Sequence, residues 1–192
     1  MKELLRNVDS VYKLLELVAV SRDIDAIFTE VVEELRGLFE SERCTLYILD
    51  KEKNELYSKV VQKCEVTDLR IPVDNNSIAG YSVLSNKEVI VENAYDDNEL
   101  KRIDPDLSFG KSIDSRCSFV TKSVLSAPLH YGGEIIGAVQ AFNKNGGFLE
   151  KDLNAIREFG LILGLMLNNA IVTEELNKYR RASEGADKAK ED

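Results

Sequence analysis

The sequence predicts an α+β domain with one antiparallel sheet and helices from the two chain ends gathered on one of its faces. Three observations carry this prediction. Two segments near the start and one near the end space their apolar residues helically. The middle holds short runs that alternate with period two. Gly- and Asn-rich turns join neighbouring runs as hairpins.

Leu4, Val8, Val11, Leu15 and Val18 follow a 4,3,4,3 spacing, the seam of a coiled-coil or bundle helix within residues 1–21. Ser21, Arg22 and Asp23 interrupt with cap-forming side chains. Ile24, Ile27, Phe28, Val31, Leu35, Leu38 and Phe39 then line one face of an amphipathic helix suited to lie against a sheet. The period changes at Cys44, Leu46 and Ile48, which alternate with Thr45, Tyr47 and Leu49. A polar turn at 50–54 and a returning run at 55–61 complete a hairpin. Residues 69–73 and 88–91 are short strands, and 75–81 reads as a capped turn opening a short helix that ends near Asn86.

Residues 93–120 are the least regular. A connection this long is expected to be a lid or binding loop, with a short helix around 113–119. Strands at 122–130 and 134–143 flank Tyr131-Gly132-Gly133, a hairpin signal. After Asn145-Gly146-Gly147, a helix runs from about residue 149 to 179. It is apolar nearly all round between Leu161 and Val172, so one face is expected on the sheet and another on a partner. The small, charged residues 182–192 read as a linker or frayed end.

The chain has 192 residues, room for one domain with extensions, and 44% of them are apolar. No stretch is a full uncharged span of about 20 apolar residues, and charges at the start argue against a signal peptide. Twenty-five basic against 34 acidic residues give a net charge of −9, which disfavours nucleic acid and anionic membrane as partners. Three cysteines, Cys44, Cys64 and Cys117, suit a reducing cytoplasm better than a disulfide framework. One histidine, His130, leaves no multi-histidine metal site and little room for histidine-based catalysis.

The run KSVLSAPLHYGGEIIGAVQAFNKNGGFLEKDLNAIREFG, residues 122–160, resembles the C-terminal half of a GAF domain: Pro128-Leu129, Gly132-Gly133, Ile136-Gly137, Gln140 to Lys144, Phe148 and Asp152-Leu153 fall at the family spacing. Ser77-Ile78-Ala79-Gly80 resembles the family's pocket-helix turn, and VIVENAYDD (89–97) its following strand and loop. Residues 112–125 resemble a further family segment, with Cys117-Ser118 in place of the usual Thr-Gly. The resemblance spans about 22–172. It implies a GAF fold with a central antiparallel six-stranded sheet, flanked by an N-terminal dimerisation helix (1–21) and a C-terminal extension and linker to an effector domain (173–192). The nearest subgroup is the cyclic-nucleotide phosphodiesterase and cyclase type, whose motif is matched by Asn143, Lys144, Phe148 and Asp152, whereas Leu153 replaces its final Glu. In that subgroup the Lys144–Asp152 pair would clip the last strand to the last helix. GAF domains also occur as N-terminal regulatory domains of enhancer-binding transcription activators.

The resemblance places a ligand at Ser77, Ile78, Ala79 and Gly80, whose backbone N–H groups could face an anion, or could simply form a helix cap. Asn93, Tyr95 and Asp96 could bond a planar ligand from the rim, or could be a polar strand exit. Arg116 and Thr121 could close over it, or could be solvated loop. Cys44 and Cys117 raise bilin attachment or the cysteine relay of a methionine-sulfoxide-reducing branch, but neither pattern is reproduced. No metal site is expected. A homodimer is expected through Leu4, Val8, Val11, Leu15 and Val18 with Leu163, Met166 and Ala170 of the last helix.

The expected function is a cytoplasmic, non-enzymatic sensory domain. It would bind a small molecule, with a cyclic nucleotide the leading candidate ligand, and control a linked effector in signal transduction or transcription regulation by rearranging dimer helices. The alternative is a ligand-free scaffold for dimerisation and protein–protein interaction.

Overall fold

A computed structural model of the chain describes residues 12, 13, 16, 24–60, 62 and 69–188. The elements are α1 (Ile24–Phe39), β1 (Arg43–Asp50), β2 (Glu55–Ser58), β3 (Leu69–Pro72), α2 (Ile78–Ser85), β4 (Val89–Val91), α3 (Asp97–Ile103), α4 (Ser112–Cys117), β5 (Val124–Tyr131), β6 (Glu134–Phe142) and α5 (Glu150–Lys188). The strands form one six-stranded sheet of order β3-β2-β1-β6-β5-β4, with every neighbouring pair antiparallel. Tyr131 pairs with Glu134 across a two-residue turn, and Gly132 and Gly133 hold φ of 61° and 85° there. A turn with both central φ positive matches the twist of its strands and is nearly reserved for glycine.

Strand alternation gives the sheet two covered faces. On one, Cys44, Leu46 and Ile48 of β1, Leu125, Ala127 and Leu129 of β5 and Val139 and Ala141 of β6 meet α1 and α5. From α1 come Phe28, Val31, Val32, Leu35 and Phe39, the expected amphipathic stripe. Each such side chain contributes about 1.5–3 kcal/mol of burial.

Leu163, Met166 and Ala170 of α5, expected at a dimer contact, are instead buried in this core with Phe159 and Leu167. The outer side of α5 is carried by Leu161, Leu165, Val172, Leu176 and Tyr179, which are exposed. The choice between the two stripes is decided by glycine. A Cβ on Gly164 would lie 2.1 Å from the His130 carbonyl oxygen, so only that helix face can rest directly on the end of β5. By composition alone α5 is long and apolar enough to cross a membrane, but its inner face is the lid of this core. The helix continues to Lys188, past the end near 179 that its pattern suggested.

Leu4, Val8, Val11, Leu15, Val18 and Cys64 lie outside the described residues; Lys13, 3.3 Å from Glu34 of α1, is described. Contrary to the expectation of reduced thiols, Cys117 takes part in a disulfide, while Cys44 is a free buried thiol.

The four motif residues close the link from β6 to α5. Lys144 Nζ lies 2.6 Å from Asp152 Oδ1, with both side chains over 90% buried, and the Leu149 N–H donates to Asp152 Oδ2 at 2.8 Å. Asn143 adopts φ 57°; its side chain accepts from the Lys122 N–H and donates to the Val120 carbonyl and to Glu42. Phe148 is buried beneath them.

Candidate ligand site

The opposite face of the sheet is not exposed. Helix α2 and the stretch 92–121 cover it, packing Ile78, Ala79, Tyr81, Leu100, Leu107 and Phe119 over Tyr47, Val124, Ala138 and Phe142. A polar band crosses this apolar setting. Thr45, Gln140 and Ser126 stand side by side in register across β1, β6 and β5, and Arg43 lies one step along β1, opposite Phe142. Their exposures are 1%, 5%, 0% and 3% respectively.

Thr45 Oγ1, Ser126 Oγ and both Nε and Nη1 of Arg43 have no hydrogen-bond partner. An unpaired buried polar group costs about 1–3 kcal/mol, more when charged. Four such atoms on one sheet face mark a place where the fold gives up stability. The Arg43 guanidinium is held flat, its Cζ 3.9 Å from the Phe119 ring centre and 4.5 Å from that of Phe142. Burial lowers its pKa, opposed by Tyr47, Asp114 and Glu42 nearby. Burial also pushes the Tyr47 hydroxyl up to about 12, with Arg43 pulling the other way.

The roof has its own charged centre. Asp114 of α4 is 4% exposed and accepts from the Thr121 N–H (2.6 Å), the Thr121 hydroxyl (2.7 Å) and the Tyr95 hydroxyl (2.9 Å). Tyr95 packs edge-on against Phe109, with the Lys111 ammonium 4.8 Å from its ring centre. Farther along, the Ser108 and Gly110 N–H groups donate to the carbonyls of Asn75 and Asn76, fastening this stretch to the turn before α2.

The residues expected from sequence divide between this roof and local capping. Ser77 caps α2, its hydroxyl accepting from the Gly80 N–H at 2.9 Å. A Cβ on Gly80 would come within 2.5 Å of the Pro72 carbonyl oxygen, so glycine is needed for the turn to pass that strand. Ile78 and Ala79 are buried in the covering layer. Asp96 caps α3 by accepting from the N–H groups of Asn98 and Glu99, and Asn93 accepts from the Tyr95 N–H. Arg116 is exposed. Only Tyr95 and Thr121 reach the interior network, through Asp114. The floor residues Arg43, Thr45, Ser126 and Gln140, together with Asp114, were not among those singled out. Arg43, Thr45, Ser126 and Gln140 stand at alternate positions of their strands, a pattern that reads equally as a solvent-facing side, and Asp114 lies in a short helix.

A GAF domain model matches residues 23–167. The chain is 26% identical over 177 residues to the probable 3',5'-cyclic phosphodiesterase pde-5 of Caenorhabditis elegans, covering 84% of this chain and 23% of that protein. It is 25% identical over 187 residues to the cGMP-specific 3',5'-cyclic phosphodiesterase of Drosophila mojavensis, covering 88% and 16%. The chain thus spans less than a quarter of these relatives. Among solved structures, the GAF domain of a phosphoenolpyruvate-protein phosphotransferase from Coxiella burnetii superposes with a TM-score of 0.70 at 14% identity, covering 89% of this chain and 98% of that one. The sheet order, the covered second face and the matched model lead to one conclusion: this chain belongs to the GAF domain family, regulatory domains that bind small molecules.

Proposed function

We propose that this domain is a non-enzymatic sensor that binds a small molecule between the sheet and the stretch 92–121, and that binding resets the terminal helices to control a linked effector. The observation that carries this reading is the set of unpaired buried atoms on Arg43, Thr45 and Ser126. A ligand that supplies their missing bonds recovers the stability they cost, and does so only when bound. A cyclic nucleotide is the leading ligand, supported by the names of the curated relatives and by a buried cation beside neutral hydrogen-bonding groups.

A ligand-free scaffold is the competing reading, favoured by the aromatic rings of Tyr47, Tyr81, Phe119 and Phe142 that pack the same face. Thermal denaturation against cyclic and linear nucleotides, 2-oxoglutarate and amino acids separates the two. Ligand at 100 times its dissociation constant adds about 2.7 kcal/mol, or about 5–10 °C in Tm for a domain of this size. A shift from one compound, lost in a Thr45→Val, Ser126→Ala double variant, supports the sensor. A flat panel, with native mass spectrometry showing no retained small molecule, supports the scaffold.

A further inference from the structure

We propose that Cys117 is a redox latch: its disulfide, when closed, fastens the end of the covering stretch 92–121 to the rest of the domain, and a dithiol reductant releases it. The latch needs no bound ligand and stands apart from the small-molecule reading above.

The setting of the bond argues against a structural staple. Three cysteines in 192 residues make no disulfide framework, and apolar layers on both faces of the sheet already fill two cores. What the bond holds is local. Helix α4 has six residues, fewer than an isolated helix needs, and no side chain caps its start at Lys111. Asp114 and Cys117 are its buried residues. The three bonds of the Asp114 carboxylate go to Thr121 and Tyr95, inside the same stretch, so they stiffen it without fastening it.

The middle of the stretch is held by the bonds of Ser108 and Gly110 to Asn75 and Asn76; its end is held differently. Cys44 is free, and residues 69–188 are all described, so the disulfide partner of Cys117 lies outside the stretch. The N–H groups of Ser118 and Phe119 both donate to the Asp114 carbonyl, which makes the helix end and Phe119 one unit. The Phe119 ring in turn lies 3.9 Å from Arg43 Cζ and 6.2 Å from the Phe142 ring centre. Releasing Cys117 therefore loosens the end of α4 together with the ring that closes over Arg43.

The chemistry is thiol–disulfide exchange. One thiolate of the dithiol attacks a sulfur of the bridge, forming a mixed disulfide and expelling one cysteine thiolate, which takes up a proton. The second thiolate of the reductant closes on the mixed disulfide and expels the other cysteine, which is protonated likewise. The bridge gains two electrons and two protons, and the dithiol leaves as a cyclic disulfide. Cys117 is 7% exposed, so exchange at its own sulfur requires α4 to open locally.

Hydrogen–deuterium exchange of the native chain with and without dithiothreitol tests the latch, with thiols counted by alkylation and intact mass. The count should rise from one to three on reduction. Amides of residues 112–121 should then exchange at least about tenfold faster, while those of β6 keep their protection. Reoxidation with the cyclic disulfide of dithiothreitol should restore the slow rate. Cys117→Ala should exchange fast at 112–121 in both conditions, and Cys44→Ala should respond as the native chain does. If Cys117→Ala does not fold, the native chain under the two conditions still decides. Unchanged exchange at 112–121 after full reduction overturns the latch, as does a count of three thiols before reduction. Equal loss of protection in β6 also overturns it, because the bond is then a staple for the whole fold.

Discussion

Replacing Lys144 with Met should destabilise the domain severely, and the structure says by how much. The ammonium lies 2.6 Å from Asp152 Oδ1, and the two side chains are only 9% and 7% exposed. Removing it leaves the Asp152 carboxylate buried with one described donor, the Leu149 N–H. Breaking one partner of a buried pair costs about 3–5 kcal/mol, because the other is stranded as an uncompensated charge. At about 2–4 °C per kcal/mol for this size, Tm should fall by about 6–20 °C. A Lys144→Met, Asp152→Leu double variant should recover much of the loss, since it strands no charge, though the Leu149 N–H then loses its acceptor. Urea denaturation of the native chain, both single variants and the double variant gives the coupling energy directly. A Lys144→Met loss below about 1 kcal/mol would refute the argument and make the pair a solvated contact.

Gly164→Ala should cost at least about 2–3 kcal/mol in chemical denaturation, because its methyl would meet the His130 carbonyl at 2.1 Å and backbone must move to admit it. Ser118→Gly should stabilise by up to about 1 kcal/mol in the same assay, since Ser118 ends α4 at φ 48°, a left-handed position that penalises a Cβ. Burial raises the Cys44 thiol from 9.0 to about 12 and the Tyr47 hydroxyl from 10.0 to about 12. Both groups prefer the neutral form when folded, so unfolding above about pH 9 releases protons and stability should fall as pH rises toward 12. Denaturant midpoints measured from pH 8 to 11 should show that slope, and it should weaken in Cys44→Ala.

Most of the described elements were legible because each depends on local pattern, but the helix Asp97–Ile103 was not, since it lies in a stretch with few apolar anchors that read as irregular loop. The alternation of Cys44, Leu46 and Ile48, the Gly132-Gly133 turn and the α1 stripe all recur where the spacing put them. The family motif even anticipated the Lys144–Asp152 clip. The polar band on the covered face was hidden for a definite reason. Thr45 alternates with an apolar set, which reads as the solvent side of a half-buried strand, and only the fold reveals that 92–121 comes back to cover it. Asp96 and Ser77 were misleading in the opposite way. They sit where a ligand group could reach, yet their oxygens are taken by the N–H groups of the helices they begin. Local pattern also could not say which stripe of an all-round apolar helix faces inward; the notch at Gly164 decides it.

That notch has a mechanical consequence. Gly164 brings the backbone of α5 directly onto the end of β5, the strand that carries Ser126 in the polar band of the covered face. No side chain intervenes there to absorb displacement, so the contact acts as a fulcrum. Lys188 lies 24 residues beyond it, about 36 Å along the helix axis. A tilt of about 5° at the fulcrum would carry the far end through about 3 Å, more than half a helical turn. On the sensor reading proposed above, a small repacking around Arg43 and Ser126 would therefore reach the far end of α5 enlarged by the length of the helix.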